Sequence, residues 1–256
     1  MFASNSSRFS LIVGPCAIES HDTFSRVARY AKDMGVTALR GGIYKLRTDP
    51  NSFQGLGNRA FEIVEMSKKE TGLPFVCEIT DPRQIEDLGK IADVFQVGTR
   101  NMHNYELLKE LGRCRTPILL KRGMAAYLDE LLLASEYIRR EGNEQIAFCE
   151  RGIRSFERAT RNTLDLSAVP YLKARSGLPV IVDPSHATGK RELVTPMCWA
   201  AAAAGADGLL IEIHPEPEKS LSDAEQALSL EDFKMMYERL VKILEVMGRT
   251  IEVNPQ

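Results

Sequence analysis

Short apolar runs alternate with amphipathic stretches eight times along this chain, and that alternation limits the fold more than any other feature. The apolar runs fall at 10–17, 36–44, 74–80, 93–99, 117–122, 145–150, 179–184 and 207–214. They are nearly all-apolar rather than alternating, as strands buried on both faces of a parallel sheet must be. The stretches 21–34, 57–70, 83–91, 104–111, 127–141, 167–176, 191–204 and 230–247 carry helical periodicity between and after them. Gly35, Gly72, Gly112, Gly142, Gly177 and Gly205 each follow one of these, as C-terminal glycine caps do. Eight strand–helix pairs without a linker or low-complexity break predict an α/β fold, a (β/α)8 TIM barrel. The expected single domain covers 10–250, with a short extension at 1–9. A doubly wound open sheet is the alternative. It is disfavoured because no Gly-x-Gly-x-x-Gly turn follows the first run.

Charge and cysteine usage narrow the function. A net charge of -2 and a pI near 6.2 argue against general affinity for nucleic acid or an anionic membrane. The longest apolar run, 197–206, is too short and too alanine-rich to span a bilayer. Cys16, Cys77, Cys114, Cys149 and Cys198 are odd in number and match no zinc-finger spacing. Without a signal peptide they read as reduced thiols of a cytoplasmic protein.

In a barrel of this type the chemistry gathers at the carboxyl ends of the strands. They offer Cys16; Arg40, then Lys45 and Arg47; Glu78; Arg100; Lys121 and Arg122; Glu150 and Arg151; Asp183 and His186; and Glu212 and His214. His186 lies in Ile-Val-Asp-Pro-Ser-His-Ala-Thr-Gly (181–189), an apolar strand that breaks at Asp-Pro into a turn. Three strands thus bring Cys16, His186 and Glu212 toward one rim, a donor set suited to a divalent transition metal. His214 shares a strand face with Glu212 and reads as a ligand or as a partner behind the ligands. Arg40, Lys45, Arg47, Arg100, Lys121 and Arg151 would repel one another unless a polyanion joined them. Guanidinium forks match phosphate and carboxylate oxygens, so one or two substrates bearing several such groups are expected. His21 and His103 are assigned nothing, and the remaining cysteines are core or surface thiols.

At these same positions the sequence resembles a known family. The segments are Gly14-Pro-Cys-Ala-Ile-Glu-Ser20, Arg40-Gly-Gly, Lys45-Leu-Arg-Thr48 with Ser52-Phe-Gln-Gly55, Leu120-Lys-Arg-Gly-Met124, Cys149-Glu-Arg-Gly-Ile-Arg154, Asp183-Pro-Ser-His186, and Glu212-Ile-His-Pro-Glu-Pro-Glu-Lys219 with Ser222-Asp223. Together, over residues 12–246, they are similar to 3-deoxy-D-arabino-heptulosonate 7-phosphate (DAHP) synthases of the type I beta subgroup, which also holds the octulosonate 8-phosphate synthases. The resemblance implies a (β/α)8 barrel that condenses phosphoenolpyruvate with erythrose 4-phosphate, the first step of the shikimate pathway. It implies a divalent metal (manganese, iron, cobalt or zinc) on Cys16, His186, Glu212 and Asp223, the last not selected by spacing. It also implies that Arg40 and Lys45 hold the phosphoenolpyruvate carboxylate, that Arg100, Lys121 and Arg151 hold its phosphate, and that Arg47 and Thr48 hold the aldose phosphate. Glu78 would stabilise the cation developing at C2 or orient water, and Lys121 would donate or relay a proton.

Two departures bear on the acceptor. The heptulosonate enzymes carry Lys-Pro-Arg-Thr-Ser where this chain has Lys45-Leu46-Arg47-Thr48-Asp49. Asp49 places an anion beside a phosphate subsite, so it points away, weakens aldose binding or marks another acceptor. The octulosonate version of the loop, Ala-Asn-Arg, is absent, which disfavours arabinose 5-phosphate. A non-catalytic phosphate-binding barrel is the reading from a different class. Family members often add a ferredoxin-like or chorismate mutase domain for feedback control. The expectation here is a barrel without a separate regulatory domain, insensitive to tyrosine and phenylalanine, and a homo-oligomer, by resemblance a tetramer.

Overall fold

Strand pairing in the computed structural model, which describes residues 7–253, closes on itself. The strands are β1 (Arg8–Gly14), β2 (Ala38–Arg40), β3 (Phe75–Ile79), β4 (Val94–Val97), β5 (Ile118–Lys121), β6 (Ile146–Glu150), β7 (Val180–Val182) and β8 (Gly208–Glu212). Each pairs in parallel with the next, and β1 pairs with both β2 (Ile12↔Ala38) and β8 (Ile12↔Leu210). The result is the expected closed eight-stranded parallel barrel rather than the open sheet.

Between and after the strands run α1 (His21–Asp33), α2 (Arg59–Thr71), α3 (Ile85–Leu88), α4 (Tyr105–Gly112), α5 (Leu128–Arg140), α6 (Ala168–Ser176), α7 (Pro184–Thr188), α8 (Arg191–Ala203) and α9 (Leu230–Val246). Successive strand residues face opposite ways, so the apolar side chains divide into two layers. Ile12, Val76, Val94, Leu119, Ile181 and Leu210 cluster inside the barrel, and Leu11, Val13, Phe75 and Phe148 pack outward under the helices. Burying a side chain of this size contributes about 1.5–3 kcal/mol, which is why apolar residues dominate both faces of the strands.

Gly72 and Gly177 end α2 and α6 in left-handed conformation, φ 71° and 68°, as the glycine pattern predicts. Gly112 does not cap. It is the last helical residue of α4, and a Cβ there would lie 2.5 Å from the Ile138 carbonyl oxygen, so its role is close packing against α5. The short α7 and a ninth strand, β9 (Thr250–Ile251), were not anticipated. β9 pairs with Arg8 and Phe9, starting β1 two residues earlier than the apolar run suggested. Among the described residues no helix is long and apolar enough to cross a membrane.

Candidate active site and metal centre

Four donors meet at the carboxyl ends of β1, β7 and β8. Cys16 follows β1 by two residues, and Glu212 is the last residue of β8. Asp183 caps α7 by accepting from the His186 N–H (3.0 Å), turning the chain so that the imidazole faces the barrel axis. Asp223 lies in the loop after β8 with φ 56°, the one left-handed non-glycine residue among those described, a conformation aspartate tolerates better than most. Ligand atoms of Cys16, His186, Glu212 and Asp223 all lie within 4.8 Å of one another. Closest are Cys16 Sγ to Asp223 Oδ2 at 2.9 Å and His186 Nε2 to Glu212 Oε1 at 3.1 Å.

The surroundings prepare these groups for a cation. Asp183 Oδ2 sits 2.7 Å from His186 Nδ1, so that nitrogen carries the proton and Nε2 presents its lone pair to the other donors. Burial pulls the His186 pKa below its usual value, favouring the neutral ring a ligand needs. Burial, followed by the charge of Glu212, pushes the Cys16 thiol up to about 12. A divalent ion reverses that balance by binding the thiolate. Burial also works against ionising Asp223, but the Lys45 ammonium beside it outweighs burial and holds the carboxyl far below the carboxylate range. The Lys45 ammonium lies against Cys16 Sγ and 2.9 Å from Asp223 Oδ2, and Arg40 reaches Glu212 Oε1 at 2.7 Å. One sulfur, one imidazole nitrogen and two carboxylates around a point that already attracts positive charge fit a divalent transition metal.

Above this cluster opens a cleft of about 290 Å³, lined by Arg40, Lys45, Arg47, Thr48, Glu78, Arg100, Lys121, Arg151, His186 and Asp223. The six strand-end cations named from sequence thus line one space, and Cys16 and Glu212 lie beneath it. Arg40, Lys121 and Arg151 are almost fully buried. Arg40 Nε, Arg47 NH1 and Arg151 Nε are buried without a hydrogen-bond partner. Buried guanidinium N–H groups are costly to leave unpaired, and the oxygens of an anion in the cleft would satisfy them. Asp49 also borders the cleft, but its Oδ1 accepts from the Asn51 backbone N–H (2.9 Å) and side-chain amide (3.0 Å). The loop's unexpected anion therefore stabilises its own turn.

Other strand-end groups leave the site. Arg122 pairs with Glu150 and Asp165, each at 2.9 Å, and bonds the Ala126 carbonyl, tying β5 to the loop after β6. His214 Nε2 lies 3.6 Å from Glu19 Oε2, and its Nδ1 accepts from the Glu216 N–H. It is not among the four clustered donors, and its ring is taken up by Glu19 and the Glu216 N–H rather than by Glu212. All five cysteines are free. Arg161 and Gln226 belong to the site although no sequence signal marked them. Both sit in long loops, where neither strand periodicity nor a strand end assigns a direction. A larger hollow of about 720 Å³ lies between α8 and α9 around Trp199 and Arg239, and holds none of these donors.

The DAHP synthetase I family profile matches residues 1–247. The phospho-2-dehydro-3-deoxyheptonate aldolase of Thermotoga maritima is 45% identical over 246 residues, covering 96% of this chain and 72% of that protein. A 2-dehydro-3-deoxyphosphooctonate aldolase of Syntrophobacter fumaroxidans is 26% identical over 261 residues, covering 95% and 90%. The crystal structure of the Thermotoga DAHP synthase superposes with a TM-score of 0.93 at 44% identity, over 96% of this chain and 72% of that one. A truncated form of 3-deoxy-D-arabino-heptulosonate 7-phosphate synthase from the same organism gives 0.90 at 41% identity, over 96% and 90%. With four convergent donors beneath a cationic cleft and a family match across nearly its whole length, this chain belongs to the DAHP synthetase I family.

Proposed function

We propose that this chain is a 3-deoxy-7-phosphoheptulonate synthase, joining phosphoenolpyruvate to erythrose 4-phosphate and releasing phosphate. The observation that carries the reading is the convergence of the Cys16–His186–Glu212–Asp223 cluster with six cations in one cleft. The heptulosonate acceptor is favoured over the octulosonate one by the Arg47-Thr48 loop and by the 45% against 26% identities. A bound divalent ion supplies Lewis-acid polarisation of the aldehyde; the donors suit zinc, iron or cobalt, and the two carboxylates also admit manganese.

The chain's own residues do the rest. Arg40 and Lys45 take the phosphoenolpyruvate carboxylate, and Arg100, Lys121 and Arg151 take its phosphate. Arg47 and Thr48 hold the aldose phosphate at the outer end. This fixes the enol C3 against the aldehyde carbon, an arrangement that saves much of the entropic cost of a two-substrate reaction. C3 attacks, the aldehyde oxygen takes a proton, water adds at the electron-poor C2, and the C2–O bond to phosphate breaks. Lys121 lies beside the phosphate and serves as proton donor or relay. Glu78 reaches the cleft from β3 and places negative charge near C2. The setting is a cytoplasmic homo-oligomer, by family a tetramer, with the barrel of residues 10–250 as its catalytic unit.

Loss of the phosphoenolpyruvate ultraviolet absorbance tests this, with erythrose 4-phosphate or arabinose 5-phosphate, and with manganese or chelator. Chelator-sensitive turnover with erythrose 4-phosphate alone is expected. Turnover only with the pentose would move the chain to the sister activity, and none with either would favour the binding-only barrel.

Glu78 has its own test. Glu78→Gln is expected to lower kcat about 10²-fold, the usual effect of losing one electrostatic stabiliser, with phosphoenolpyruvate affinity unchanged. A Cβ on Gly98 would lie 1.9 Å from Glu78 Oε1. Gly98→Ala therefore pushes the carboxylate aside and should reproduce the Glu78→Gln kinetics. Normal turnover in both variants removes Glu78 from the mechanism.

A further inference from the structure

We infer that Gln226, itself held by Arg161, positions Glu212 so that one carboxylate oxygen alone faces the metal. The inference rests on the metal-centre reading above. Gln226 is 1% exposed, and its Nε2 donates to Glu212 Oε2 at 2.6 Å. Its Oε1 accepts from Arg161 NH1 at 2.9 Å, and the same guanidinium nitrogen lies 3.3 Å from Asp223 Oδ1. An amide is the group this place requires. It must donate toward an anion and accept from a cation at the two ends of one planar unit, which fixes its orientation. On the other side, Glu212 Oε1 is 3.1 Å from His186 Nε2 and 2.7 Å from Arg40 NH1. The two oxygens are therefore divided: Oε2 is held by Gln226, and Oε1 lies with the other donors.

The backbone keeps Gln226 in place. Its N–H donates to the Asp223 carbonyl (3.2 Å), and the Leu228 N–H donates to the Glu212 carbonyl (2.9 Å). The loop that supplies ligand Asp223 thus returns three residues later to brace ligand Glu212. Asp223 itself is braced at its other oxygen by Arg161. Gln226 is a positioning residue, acting on the metal through Glu212 rather than by contact. Residues hydrogen-bonded behind metal ligands commonly change affinity 10- to 100-fold when replaced.

The test uses the full chain and cobalt(II) as the probe, read by titration and by absorption. Wild-type protein is expected to bind the ion with a thiolate-to-cobalt charge-transfer band from Cys16. Gln226→Met, close in volume and without the amide, is expected to bind it about 10- to 100-fold more weakly. Its ligand-field bands should weaken as the freed second oxygen of Glu212 enters the coordination shell. A folded Gln226→Met protein with wild-type affinity and spectrum overturns the role of Gln226 and leaves the metal centre standing. Absence of cobalt binding by wild-type protein overturns the metal centre and this inference with it. If Gln226→Met does not fold, Arg161→Met decides. Its exposed side chain can be lost without opening the core, and unchanged cobalt affinity there would overturn the inference.

Discussion

Lys121→Met is expected to lower kcat by about 10²–10⁴-fold, the range typical of losing a positioned proton donor, and to weaken phosphoenolpyruvate binding as well. Lys121 is the last residue of β5, 4% exposed, and its ammonium lies 2.5 Å from Asp183 Oδ2. It thus faces the cleft while joined to the carboxylate that orients His186. Removing it withdraws a cation from the wall of the cleft and leaves a buried carboxylate short of a partner. Breaking a buried pair from one side costs about 3–5 kcal/mol, so chemical denaturation should show a large loss of stability. The double variant Lys121→Met with Asp183→Asn removes both charges and should regain much of that stability but none of the activity. Wild-type kcat in the single variant would exclude Lys121 from the chemistry. Recovered activity in the double variant would make its role structural alone.

Removing divalent metal should have an effect of similar size without unfolding the chain. Lewis-acid activation is worth several kcal/mol, so chelation is expected to lower turnover at least ~10³-fold, with recovery on adding manganese or cobalt. Cys16→Ala should mimic chelation and resist rescue at ordinary metal concentrations. The fold should survive because Arg40 and Lys45 already lie against Glu212 and Asp223 and offset part of the negative charge. This separates the site from small metal domains that are unfolded without their ion. Circular dichroism of chelated protein decides between the two cases. Loss of secondary structure would make the metal a structural element, and full turnover in chelator would remove it from the mechanism.

Much of this molecule is written in local sequence. The eight alternations, most helix ends and the cations at strand ends could be read because strand and helix periodicity and glycine caps are properties of neighbouring residues. The barrel follows from them, since eight parallel strands with crossover helices have few ways to bury both faces. Cys16, His186 and Glu212 were visible for the same reason: each sits at or just past a strand end. Asp223 was legible only by family resemblance, because a loop residue in left-handed conformation has no periodicity to give its direction. The same holds for Arg161 and Gln226.

Tertiary structure alone decided how charges were partnered. From sequence, Arg122 and Lys121 stood side by side at one strand end with only Lys121 assigned to the anion site, and His214 looked like a companion of Glu212. In the fold Arg122 faces Glu150 and Asp165, whereas Lys121 turns to Asp183. His214 lies against Glu19 instead. Asp49, an apparent threat to a phosphate site, binds the turn that carries it. A charged side chain's partner is set by atoms brought within a few ångströms from distant parts of the chain, and in a buried, weakly screening site that partner fixes its role. The sequence determined which groups reach the rim of this barrel; the three-dimensional arrangement determined which line the cleft, which converge as a donor cluster and which only neutralise one another.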